Sequence, residues 1–78
     1  MTQDEKLMIK LYELATKAGD SHMPIEAKQA ARVIGIKDTA LKTIIKSLAQ
    51  ANLVKKIDET IVSLTPRGCE FVLDMRGG

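Results

Sequence analysis

The side chains that could do chemistry fall into two unequal sets. The reactive set is thin, with one histidine, His22, and one cysteine, Cys69. No nucleophile, base and orienting acid can be assembled from them, because no motif spacing links one to the other. A single cysteine forms no intramolecular disulfide, and no Cys/His cluster has metal-ligand spacing. Gly35 and Gly68 are isolated, so no glycine-rich loop is available to cradle a phosphate. His22 reads as an exposed loop side chain and Cys69 as a free thiol at the last helix. The expectation is no enzyme activity, no cofactor and no metal.

The second set is larger and of one chemical kind. Lys37, Thr39, Lys42, Thr43 and Lys46, with Ser47 and Gln50 beyond them, recur at helical spacing. Ammonium groups in a row neutralise a polyanion, and hydroxyls between them can hydrogen-bond its oxygens. The net charge of the chain is only +2. Its distribution is more telling. Residues 21–56 hold seven cations against two carboxylates, whereas residues 1–20 hold three against four and residues 57–78 two against four. A solvated lysine face would share this composition, but a central +5 segment between acidic ends is the footprint of a polyanion-binding surface.

The elements that must position these residues follow from periodicity. Residues 4–18 place Leu7, Leu11, Leu14, Ala15 and Ala18 on one helical stripe, and Gly19 suits the position after its end. Ala27, Ala30, Ala31 and Ile34 then repeat the offsets of Leu41, Ile44, Ile45 and Leu48, so each set makes one apolar stripe. Between them Gly35-Ile36-Lys37-Asp38 can turn the chain, with Asp38 as the cap of the second helix. Glu26 takes the cap position of the first. Two short helices with a glycine turn make a helix-turn-helix, spanning residues 26–51. After Asn52 the period becomes strand-like, giving a hairpin over residues 53–64 whose Asp58-Glu59 tip needs a loop longer than two residues. Thr65-Pro66 opens a closing helix over residues 66–75, and the last residues, 76–78, should fray.

At this point the chain resembles a known family. Ala31 falls where the helix-turn-helix core takes a small residue, and Gly35 at its turn glycine four positions later. Leu41 and Ile44 fall at its buried positions on the second helix, while Ile34 and Ile36 bracket the turn. Downstream, residues 53–56, Val62-Ser63-Leu64 and Thr65-Pro66-Arg67-Gly68 resemble the wing and closing helix of MarR- and ArsR-like winged-helix regulators. The resemblance implies a single winged helix-turn-helix domain over residues 1–78, mainly α with a small β-hairpin (α+β), in the order helix, helix, helix, hairpin, helix. It implies double-stranded DNA as partner, with the helix of residues 38–51 in the major groove. The residues carried onto that surface are Lys28, Arg32, Lys37, Thr39, Lys42, Thr43, Lys46, Ser47 and Lys55. Lys55 and Lys56 alternate across a strand, so only one of them joins it.

Two features depart from the pattern. Asp58 and Glu59 stand at the wing tip, where phosphate would repel them, and Glu26 is a poor cap type. The acidic tip keeps a second function class open: a protein-interaction module on the same scaffold that does not touch nucleic acid. Ile9 and Tyr12, off the first helix's stripe, and Leu73, off the last one's, could then form an apolar patch for a homodimer or a larger assembly. Residues 1–6 are polar rather than a secretory leader, and no apolar run approaches the roughly 20 residues that cross a bilayer. A cytoplasmic regulator or DNA-site accessory factor without membrane contact is the expectation.

Overall fold

Helix α1 (Gln3–Ala18) is set by its first turn in the computed structural model, which describes residues 2–76. Thr2 caps it: the Glu5 amide donates to the Thr2 hydroxyl oxygen at 3.2 Å, and the Thr2 amide donates to Glu5 Oε1 at 2.9 Å. This reciprocal pair satisfies two amides that helix geometry leaves without partners. Leu7, Met8, Leu11 and Ala15 form its buried stripe. Leu7, Leu11 and Ala15 are buried as expected, but Met8 is fully buried with them while Leu14 is half-buried and Ala18 exposed. Gly19 ends the helix at φ 140°, a conformation that side chains disfavour.

A short strand, β1 (Ile25–Glu26), precedes α2 (Ala27–Ile34). Sequence periodicity did not reveal it, because two residues after a proline carry no alternation. Glu26 is nonetheless the cap of α2, its side chain accepting from the Lys28 amide at 3.2 Å. The buried face of α2 is Ala27, Ala30 and Ala31. Three small side chains let this helix lie close against its neighbours, and α1 and α3 (Asp38–Gln50) both pack on it. Gly35 makes the turn in the left-handed region at φ 79°, ψ 30°. Ile36 drops into the core beside it.

Leu41, Ile44, Ile45 and Leu48 are the buried residues of α3, as the repeated offsets require. Its cap differs from expectation. Lys37 occupies the cap position and makes no side-chain cap hydrogen bond, while Asp38 is already the first helical residue. An acid there still favours the positive end of the helix dipole.

Strands β2 (Val54–Lys56) and β3 (Ile61–Leu64) form the hairpin, joined through residues 57–60. The Ile57 and Asp58 amides both donate to the Ile61 carbonyl, at 2.9 and 3.0 Å, so the loop is longer than a tight two-residue turn. β1 pairs with the free edge of β3, Ile25 opposite Val62 and Glu26 opposite Ile61. The hairpin therefore becomes a three-stranded antiparallel sheet in the order β1-β3-β2, and the element order gains a strand between α1 and α2. Helix α4 (Pro66–Met75) starts as the sequence implies, with Thr65 Oγ1 accepting from the Gly68 amide at 2.9 Å and Pro66 at the first helical position. The fold is mostly helical α+β, its core drawn from α1, α2, α3, the sheet and Val72 of α4. Residues 77–78, where fraying is expected, lie outside the described residues. Among the described residues no helix is long and apolar enough to cross a membrane.

Candidate functional site

The core fixes the outward face of α3. With Leu41, Ile44, Ile45 and Leu48 turned inward, the opposite side carries Thr39, Lys42, Thr43, Lys46 and Gln50, all exposed. These offsets of three, four, seven and eleven from Thr39 fall on one line along the helix. Ser47 is exposed beside this line, and Lys37 is exposed at the helix start. Thr43 Oγ1 donates to the Thr39 carbonyl at 3.4 Å, so its free capacity is as an acceptor. A phosphate oxygen, itself an acceptor, gains little from that hydroxyl in this rotamer. The first-turn amides of α3 also lack a side-chain cap, which leaves them open to an outside acceptor.

On α2, Lys28 and Arg32 are four residues apart, hence on the same side of that helix. Arg32 is exposed and Lys28 half-buried. Val33 next to Arg32 is 65% exposed, an apolar surface on an otherwise polar face. On the hairpin, Lys55 stands opposite Ser63 and Lys56 opposite Val62. Val54, Val62 and Leu64 are buried, so alternation sends Lys55 to the face away from the core. Lys56 shares the core side yet stays exposed. At the tip, Asp58 and Glu59 are exposed, and the Glu59 amide donates to Asp58 Oδ1 at 2.8 Å. One tip carboxylate thus helps to shape the loop.

The other residues singled out from the sequence are spread apart in role. His22 is exposed but anchored, its Nδ1 2.7 Å from the Leu64 carbonyl oxygen. Cys69 lies within α4, half-buried, with Sγ 4.0 Å from the Ser21 carbonyl oxygen. Among the described residues no group of three or more His, Cys, Asp or Glu could hold a metal ion. The apolar patch of Ile9, Tyr12 and Leu73 is smaller than the sequence suggests. Ile9 and Tyr12 are partly buried against the core, and the Arg76 guanidinium sits 5.9 Å from the centre of the Tyr12 ring. Only Leu73, 45% exposed, stands free of that packing.

A concave feature lies apart from the lysine face. Ala51, Leu53, Arg67, Glu70, Phe71 and Asp74 line an open cleft of about 400 Å³. Its sequence signal was present in the offsets of Arg67, Glu70, Phe71 and Asp74, which place them along one side of α4. Leu53, however, falls in the strand-like run by its own pattern, and nothing local brings it to that helix.

Fold and surface together define a small, mostly helical α+β domain with a lysine- and threonine-bearing helix turned to solvent. Compared with protein-family models, curated proteins and solved structures, the chain matches none.

Proposed function

We propose that this chain is a winged helix-turn-helix domain that binds duplex DNA, serving as a transcriptional regulator or a DNA-site accessory factor. In this reading α2, the Gly35 turn and α3 are the helix-turn-helix, and the β2–β3 hairpin is a short wing. The observation that carries it is the line of Thr39, Lys42, Thr43, Lys46 and Gln50 along α3, held outward by a fully apolar inner face. A 13-residue helix is about 20 Å long, and the B-DNA major groove, about 12 Å wide, accepts one.

The residue types set the character of the contact. Lysine meets phosphate as a point charge, and Lys28, Lys37, Lys42, Lys46 and Lys55 supply five such charges beside the Arg32 guanidinium. Bidentate base readers are scarce, Gln50 being the one amide on the outer line of α3. The proposed complex is therefore anchored on phosphates and only modestly selective among sequences. The acidic tip of the wing adds no favourable contact with the phosphates.

The test is a duplex titration at two salt concentrations followed by NMR. Affinity is expected to fall steeply with salt, and Lys42→Ala and Lys46→Ala each to reduce the log–log slope by roughly one. Shifts should gather on α3. Absence of binding at low salt removes the proposal. The exposed Asp58 and Glu59 favour the second reading, a protein-interaction module on this scaffold, and that outcome would leave it standing.

A further inference from the structure

We propose that the cleft between the end of α3 and the outer side of α4 is a docking site for a cationic, apolar peptide segment of another protein. It does not rest on the duplex-binding reading, because none of its lining residues belongs to the lysine face.

Its floor is apolar and fixed. Leu53 and Phe71 are partly buried and packed against the core, and Ala51 lines the cleft with them. A cleft of about 400 Å³ lies within the range of clefts that take small ligands, and it exceeds the volume of one large side chain. The position of α4 against the 51–53 turn is set by Gly68, where a Cβ would collide with the Leu53 carbonyl oxygen. The cleft thus follows from how closely α4 sits against the 51–53 turn.

The electrostatics select the occupant's charge. Glu70 and Asp74 are exposed on the rim, four residues apart on one helix, where like charges destabilise each other. Asp74 also stands in the last turn of α4, at the negative end of its dipole, and the cap residue Arg76 carries its guanidinium over the Tyr12 ring. Arg67 is the single cation on the rim. Two carboxylates, one of them at the carboxyl end of α4, against one guanidinium leave a net negative rim around an apolar floor. A segment that inserts a leucine- or phenylalanine-like side chain and sets a lysine or arginine beside Glu70 and Asp74 satisfies both parts. An acidic or neutral apolar segment satisfies only the floor.

The test titrates the ¹⁵N-labelled chain with a blocked hexapeptide that alternates leucine and lysine, and with its leucine–glutamate counterpart. The lysine peptide should shift the amides of Ala51, Leu53, Phe71 and Asp74, and the glutamate peptide should not. Glu70→Lys combined with Asp74→Lys should weaken the lysine peptide about tenfold and leave duplex affinity no lower. Both positions are exposed, and unchanged amide dispersion verifies the fold. Equal shifts from both peptides, or none at millimolar peptide, overturn the proposal. Shifts of these amides on diluting the protein alone also overturn it, since the occupant would then be a second copy.

Discussion

Gly68 on α4 lies so close to Leu53 that a methyl group at position 68 would take the space of the Leu53 carbonyl oxygen. The same substituent would come within 3.0 Å of the Leu53 carbonyl carbon and 3.2 Å of Met8 Cε. Met8 could yield by rotating, but the backbone at Leu53 cannot. That carbonyl already accepts from the Thr65 amide at 3.2 Å, and the Thr65 hydroxyl donates to the Asn52 carbonyl at 2.7 Å. Gly68→Ala must therefore push α4 off the β2 entry. A cost of about 3 kcal/mol is expected, at the upper end for overpacking. Urea denaturation checks it, and a midpoint equal to that of the parent chain would refute the close approach.

Asn52 is the one non-glycine residue with positive φ among the described residues, at 61°. It ends the turn after α3, where the Leu53 amide donates to the Leu48 carbonyl at 3.0 Å. Asparagine tolerates this conformation better than other side chains, and glycine better still. Asn52→Ala should cost about 1 kcal/mol, whereas Asn52→Gly should stay within about 0.5 kcal/mol of the parent. Thermal melts of the two variants decide it by their order.

Where the chain's own pattern set the structure, the sequence was readable. The paired offsets of Ala27/Ala30/Ala31/Ile34 and Leu41/Ile44/Ile45/Leu48 identified both inner faces, with Ile34 only half-buried, and hence the outward side of α3. Gly35 and Thr65-Pro66 marked a turn and a helix start through local backbone chemistry. What stayed hidden depends on distant partners. β1 exists because the edge of β3 lies beside Ile25–Glu26, and His22 is anchored by a carbonyl forty-two positions away. The burial of Tyr12 likewise depends on α4 packing against α1, which no helical wheel of either segment reveals. Local rules also misplaced the cap of α3, since Asp38 is the favoured type but Lys37 holds the position.

The capping box of α1 makes stability depend on acid in a defined direction. Hydrogen bonds from the Thr2 amide and from the Thr2 hydroxyl, the latter at 3.0 Å, hold the Glu5 carboxyl below its ordinary value. A folded-state value below the unfolded one means that the ionised form is favoured by folding. Its contribution is present in full above the unfolded value and lost as pH falls through the folded one. Comparing Glu5→Gln with the parent across a series of urea midpoints isolates it. The parent's advantage should be constant near neutral pH and vanish under strongly acidic conditions. An advantage that persisted after the carboxyl is protonated would show that packing, not charge, is responsible.

The hairpin tip offers the sharpest check on how duplex DNA would lie against the domain. Asp58 and Glu59 are exposed, and Lys55 on β2 faces away from the core. If α3 enters the major groove, a neighbouring wing comes within reach of the flanking backbone, and its two carboxylates oppose binding by repulsion. Replacing them in Asp58→Lys/Glu59→Lys should raise duplex affinity roughly tenfold at low salt and steepen the salt dependence by about one to two in slope. The effect should shrink as ionic strength rises, because exposed charges are screened over about 10 Å at 0.1 M salt. Because Asp58 Oδ1 also accepts from the Glu59 amide, Asp58→Asn/Glu59→Gln serves as the companion variant that keeps the turn contact while removing the charge. It should give a smaller gain in the same direction. Unchanged affinity in both variants would mean that the tip points away from the duplex, leaving α2 and α3 to carry the whole contact.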